Sequence, residues 1–258
     1  MRSPLKKYHG GKSRLVAKIV PLIPPHVCYC EPLVGGGWVL FGKPPSKVEV
    51  INDYDCELVT FWRVIQHHLE EFLRFYKYSI ISRKIFDLEK LRSPATLTDI
   101  QRAVRYYYLQ RLAFGGLTDK RHFGTGATRP PTLVLSGMED TLLDIHWRLQ
   151  AVVIENLDGC ECIRRYDRPT TFFYIDPPYY GVKGYAARFK PCDFIRLRAS
   201  LAGLKGKFIL SLNDVPEIRR LFKGFKQQRV STIYSSTNGR VSPEMRSQPR
   251  GELLIRNF

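Results

Sequence analysis

Apolar residues in this chain come mostly in short runs closed by breakers, with helical spacing in the stretches between them. Thr171-Phe172-Phe173-Tyr174-Ile175 is aromatic and β-branched, and reads as a buried strand. Val27 to Cys30, Val48 to Ile51, Leu149 to Ile154, Lys207 to Leu212, Arg229 to Tyr234 and Glu252 to Ile255 read as further strands. Arg14 to Val20 reads as a helix capped by Ser13 and stopped before Pro21. Further helices are expected over Glu57 to Gln66 behind an Asp55 cap, from a Thr98 cap to Leu112, over Phe194 to Leu204, and over Glu217 to Lys223. Strands alternating with helices predict an α/β fold.

Between about Thr60 and Ile145 the strand pattern lapses. Helical, basic and aromatic residues take over, among them Arg74, Tyr76, Arg105, Tyr106, Tyr107, Tyr108 and Arg111. Much of that aromatic content must be core, with the basic side chains on a solvated face. Phe114 to Gly126 carries glycines, Lys120, Arg121 and His122, and predicts a loop or hairpin able to enter a groove. Gly181 to Lys190 reads as a polar loop able to order over substrate, and Ser235 to Gly251 as a mobile one.

Composition narrows the class. A chain of 258 residues with 44% hydrophobic content is globular, and is long enough for one large domain or one domain with an insertion. No run of about 18 apolar residues predicts a membrane span, and Met1 to Lys7 lacks an apolar signal core. Six scattered cysteines are too few for a disulfide scaffold, so the expectation is a cytoplasmic protein. The net charge of +17, from 41 basic and 24 acidic residues, calls for a polyanionic partner. Nucleic acid fits better than acidic lipid, because no basic amphipathic anchor stands out.

The candidate chemistry lies where strands end. Asp176-Pro177-Pro178-Tyr179 follows the strand at 171 and makes a rigid, polar corner, since each Pro fixes its own φ and lacks an N–H. Its carboxylate and carbonyls can accept from an amino group, and Tyr179 offers a flat face to a planar ring. Glu31-Pro32-Leu33-Val34-Gly35-Gly36-Gly37 puts an acid and a Gly-rich turn after the first strand, the form of a nucleotide-type site. Asn52-Asp53-Tyr54-Asp55 follows the next strand, where doubly wound folds hold a ribose. Asp55 takes the helix cap, leaving Asp53 for that ribose. Tyr8-His9-Gly10-Gly11-Lys12-Ser13 is a Gly-rich turn with one cation, but it lacks the leading Gly of a P-loop.

Together, Lys-Tyr-x-Gly-Gly-Lys, Glu-Pro-Leu-x-Gly-Gly-Gly, Asn-Asp-x-Asp and Asp-Pro-Pro-Tyr stand in the order of the Dam-like (D12 class) DNA adenine-N6 methyltransferases, which the chain resembles from Lys7 to Tyr179. Leu210 to Asp214 and Glu252 to Asn257 also look family-like. The resemblance implies a Rossmann-like class I methyltransferase with a mixed sheet. Residues 1–58 and 147–258 would form the catalytic domain, with 59–146 inserted as a helical target-recognition domain. It implies S-adenosyl-L-methionine as cofactor, with Tyr8 and Lys12 at its methionine end. Glu31, Pro32, Gly35 and Gly37 would line its pocket, Asp53 would hold its ribose, and Asp158 would reach its adenine. Asp176, Pro177, Pro178 and Tyr179 would be catalytic, and Asp176 would also border the cofactor. Arg105, Arg111, Lys120, Arg121 and His122 would contact double-stranded DNA, without metal or membrane, in a monomer. The family's Phe-Asn-Gly-Leu reads Phe114-Gly115-Gly116-Leu117 here, so the resemblance does not extend to the recognised sequence.

The implied reaction is methyl transfer to an adenine flipped from duplex DNA, in a setting such as restriction–modification. The same quartet would serve RNA adenine or cytosine N4, and a degenerate nucleic-acid-binding protein would share the charge. Pro191-Cys192 is not expected to be a cytosine-C5 nucleophile, since the quartet takes that place. Cys28-x-Cys30 and Cys160-x-Cys162, on or beside expected strands, read as structural thiols rather than zinc ligands.

Overall fold

The computed structural model describes residues 1–5, 8, 10–116, 121–124, 137–182, 189–232 and 250–258. Among them, Cys28–Glu31 (β1), Val48–Asn52 (β2), Val152–Glu155 (β3), Thr171–Ile175 (β4), Lys207–Asn213 (β5), Lys226–Thr232 (β6) and Arg250–Arg256 (β7) form one sheet in the order β3-β2-β1-β4-β5-β7-β6. β1 to β5 run parallel, and β7 lies antiparallel between β5 and β6.

β4, in the middle of the sheet, is buried along its whole length because both of its faces are covered, whereas the edge strand β6 is largely polar. On one side lie Val16–Ile19 (α1), Trp38–Gly42 (α2), Cys56–His67 (α3), Leu69–Tyr76 (α4), Arg83–Leu91 (α5), Asp99–Leu112 (α6) and Met138–Leu149 (α7). On the other lie Gly159–Tyr166 (α8), Pro191–Ala202 (α9) and Pro216–Leu221 (α10). Alternate residues of β4 feed the two cores: Phe172 and Tyr174 join the first, Phe173 and Ile175 the second. Each such burial contributes about 1.5–3 kcal/mol.

The helical stretch 59–146 shares the first core. Phe61 on α3 stacks on Tyr107 of α6 at 5.4 Å, and the same cluster reaches Tyr29, Ile51 and Phe172 of the sheet. The three tyrosines 106–108 are buried, so this part of the aromatic content is core. Asp55 caps α3 by accepting from Glu57 N, and Thr98 caps α6 in a capping box with Gln101, both as the sequence indicates.

Three expectations need correction. Ser13 caps nothing: α1 begins at Val16, and a 3₁₀ turn, Val20–Leu22, then carries Pro21, which is tolerated where no donor is needed. Leu149 closes α7 rather than opening a strand, because the buried Gln66 amide donates to both Leu149 O and Val152 O and fixes a turn between them. Cys160 and Cys162 lie on a helix. Asp158 accepts from Cys160 N and Glu161 N and so starts α8, which buries Cys162 and Ile163 and exposes Arg164 and Arg165. Cys162 Sγ sits 3.8 Å from Cys30 Sγ on β1, both as free thiols. The expected loops at 181–190 and 235–251 fall largely outside the described residues, as does Lys120. Among the described residues no helix is long and apolar enough to cross a membrane.

Candidate active site

The strand order reverses between β1 and β4, and a crevice forms at their carboxyl ends. A cavity of about 380 Å³ fills it, walled by Tyr8, Lys12, Glu31, Asp53, Asp158 and Asp176 among others. Residues from four motifs spread over the chain thus meet at one place.

The wall after β1 is bare backbone. Gly35 has φ +47°, and a Cβ there would come 3.0 Å from the Tyr8 ring. Gly37 has φ +65° and opens α2; its Cβ would lie 2.8 Å from the Phe41 ring. Any side chain at either position meets both left-handed strain and a clash. Asp53 at the end of β2 braces this turn: Gly35 N donates to its Oδ2 at 3.0 Å and Asp55 N to its Oδ1 at 3.0 Å. The sequence left Asp53 wholly for a ligand, whereas the structure also employs it here. Burial pushes its carboxyl up to about 6.

Glu31 at the end of β1 is 2% exposed, and Tyr29 OH donates to its Oε1 at 2.5 Å. Burial pushes its carboxyl up to about 8. Asn52, fully buried, stitches the rim: its amide donates to Pro32 O and Leu157 O, and its Oδ1 accepts from Leu157 N. Pro32 therefore stands behind the cavity wall. Asp158 lines the cavity from the start of α8 and pairs with Arg196 at 2.8 Å.

Across the cavity, Asp176 ends β4. Lys12 Nζ lies 2.6 Å from its Oδ1, donates to Tyr179 OH at 2.9 Å, and sits 4.5 Å from the centre of the Tyr179 ring. Lys12 is thus drawn to the quartet. Burial pushes the Asp176 carboxyl up to about 6, with Lys12 opposing and Glu252 adding to the rise. Tyr179 OH donates to Glu252 at 2.5–2.6 Å, and Asn213 grips the backbone of Tyr180 through both its N–H and its carbonyl. The sequence marks Glu252 and Asn213 only as parts of family-like segments and gives neither a role, because their partners lie far away along the chain.

The residues expected at DNA are spread over α6 and the turn after it. Arg105 is half-buried, and its Nε donates to Glu89 O at 2.7 Å. Arg111 lies over the Tyr107 ring at 5.7 Å. The segment after α6 is hairpin-like at its base, with Phe114 N donating to His122 O and Gly124 N to Leu112 O. There Arg121 covers the Tyr106 ring at 5.3 Å, while His122 is exposed. Cys192 is exposed at the start of α9, outside the cavity wall.

Comparison with known proteins extends this likeness beyond the motifs. The chain is 26% identical over 280 residues to the type II methyltransferase M1.LlaDCHI of Lactococcus lactis subsp. cremoris, covering 99% of this chain and 95% of the relative. It is 25% identical to the type II methyltransferase M.MjaIII of Methanocaldococcus jannaschii, covering 99% of each. It is 26% identical over 85% of its length to 31% of the DNA N-6-adenine-methyltransferase of Escherichia phage P1. Residues 8–236 match the D12 class N6 adenine-specific DNA methyltransferase as a family, and the chain belongs to it.

Proposed function

We propose that the cavity holds S-adenosyl-L-methionine along the glycine turn and admits one flipped adenine of duplex DNA beside Asp176, whose N6 amine receives the methyl group. The donor set fits this cofactor. Glu31 is a buried acid suited to an ammonium, Asp53 keeps acceptor capacity for a ribose, and the Gly35 to Gly37 backbone carries no side chain. Asp158 borders the same wall for the cofactor's adenine, with Tyr8 at the methionine end. When bound, the cofactor supplies a methyl group on a positively charged sulfur.

Every other part is played by side chains and backbone of this chain. Asp176 accepts one N–H of the amine and the Pro177 carbonyl the other, which localises the nitrogen lone pair toward the methyl group; once methylated, the nitrogen releases one of these protons to solvent. This is positioning and electrostatic stabilisation rather than base catalysis. With its carboxyl at about 6, Asp176 is ionised at neutral pH, as acceptance requires. Pro178 keeps the corner rigid, and Tyr179 stacks on the flipped ring and offsets part of the unstacking cost.

One observation carries this reading: a nitrogen donor, Lys12 Nζ, already lies against Asp176 and over the Tyr179 ring, the two contacts the amine needs. The helical stretch 59–146 serves as the target-recognition part, with the net charge of +17 supplying phosphate attraction. The type II names of two relatives support a modification role. The test is transfer of labelled methyl to duplex DNA, single strands and RNA, followed by nucleoside digestion. N6-methyladenine from duplex DNA is expected. Label found only in N4-methylcytosine, or only in RNA, overturns the assignment.

A further inference from the structure

Glu252 is a fully buried acid that the reaction above does not use. It sits on β7, directly opposite Asn213 of β5 in the antiparallel register. Its carboxylate accepts from Ser211 Oγ at 2.5 Å and from Tyr179 OH at 2.5–2.6 Å, and lies 3.6 Å from Lys12 Nζ. Asn213 meanwhile fixes the backbone of Tyr180. One cross-strand pair therefore grips the two residues that follow Pro178. An aromatic ring anchored only by its Cβ can swing about χ1, whereas a phenol whose hydroxyl is tied to a carboxylate has the far end of its axis held as well. The same acid shares the Lys12 ammonium with Asp176.

We propose that Glu252 is a positioning residue for methyl transfer: through the Tyr179 hydroxyl it holds that ring in its stacking position, and through Lys12 it balances the charge at Asp176. The inference rests on the reading of Tyr179 as the stacking surface and of Asp176 as the amine acceptor. It also explains why the catalytic corner needs the antiparallel end of the sheet, since β7 brings Glu252 beneath the corner from 73 residues further along the chain.

The charge effect has a definite sign. The groups that face Asp176 are Lys12 from the segment before α1, Glu252 from β7, Tyr174 from β4 and Glu31 from β1. Glu252 raises the Asp176 carboxyl and Lys12 lowers it. Removing the Glu252 charge lets Asp176 ionise at lower pH. A merely structural acid would not move that limb.

The test uses the full chain with Glu252→Gln, Tyr179→Phe, the double variant and Tyr179→Ala. Glu252→Gln should slow single-turnover methylation about tenfold, the usual scale for a hydrogen bond to a charged group, with cofactor affinity unchanged. The acid limb of kcat/KM should move to lower pH, and the double variant should be no slower than Glu252→Gln alone. A wild-type rate, an unmoved limb, or rate losses that multiply in the double variant overturn the proposal. If Glu252→Gln does not fold, Tyr179→Phe decides: it should lose rate, and a wild-type rate overturns the proposal. Tyr179→Ala separates the two readings. Full activity there sinks the stacking assignment itself, whereas an inactive Tyr179→Ala beside fully active Glu252→Gln and Tyr179→Phe sinks only the role of Glu252.

Discussion

Lys12 Nζ lies 2.6 Å from Asp176 Oδ1, although the two residues stand far apart in the sequence. The ammonium is 2% exposed, so the contact is made in low dielectric, where a charge acts strongly on its neighbour. Lys12 therefore favours the ionised form of the carboxylate assigned to the target amine, against the rise that burial causes.

The first prediction follows from that sign. Burial holds the Asp176 carboxyl at about 6 while Lys12 pulls it down. Ionised Asp176 accepts the amine, so kcat/KM rises with pH through that value in the wild type. Lys12→Met removes the downward pull, and the acid limb should move to higher pH, opposite to Glu252→Gln. A pH profile of kcat/KM for both proteins checks this, and a limb that stays in place or falls would contradict the geometry.

A second prediction separates the two ends of the cavity. Asp176→Ala should keep cofactor affinity and lose about 10²–10³-fold in single-turnover rate, the range for one well-placed hydrogen-bonding group. Asp53→Ala should weaken cofactor binding instead, because Asp53 also holds the glycine turn through Gly35 N. Calorimetric titration beside single-turnover assays reads both, and equal losses of cofactor affinity would merge the roles.

How much of this was legible beforehand depended on the range of the interaction. β4 was plain from its sequence, because burial on both faces leaves an unbroken apolar run. Asp55 and Thr98 were plain as caps, because a cap acts two or three residues away. α8 was missed, because Cys160 and Cys162 in a helix this short imitate strand alternation and the cap at Asp158 was reserved for a ligand. Glu252 and the Lys12–Asp176 pair stayed invisible for a different reason. Spacing carries no information about which strand end meets which turn until the sheet order is known. Arg105 illustrates the limit for charge: a basic residue on a helix reads as solvated, yet its Nε is committed to Glu89 O.

A third prediction concerns stability. Burial raises the Glu31 carboxyl to about 8, against about 4.3 in an unfolded chain. Between those values the native state binds the extra proton, so its stability falls as pH rises through the window. Glu31→Gln cannot ionise and should flatten this decline while weakening cofactor binding. Urea midpoints at pH 5 and pH 8 are the measurement. An equally steep decline in the variant would show that Glu31 is not the group that titrates.

The last prediction addresses specificity. Arg121 stands at the base of the segment after α6, with its guanidinium over the Tyr106 ring and its charge acting on Asp55 at the cavity rim. Its neighbour His122 is exposed. Stacking on a buried tyrosine holds an arginine in one orientation, and a held guanidinium makes bidentate bonds to guanine that discriminate by about 1–3 kcal/mol. Arg121→Ala should therefore relax the choice of methylated site while cofactor affinity stays within about twofold, well under the tenfold that 1.4 kcal/mol represents. Lys120→Ala, if that side chain meets phosphate, should weaken binding to all sequences alike and lower the salt slope by about 0.9. Methylation of a randomised duplex library by wild type and Arg121→Ala reads the first effect. If both methylate the same motif with equal discrimination, Arg121 serves only the packing of Tyr106, and base recognition belongs to other residues.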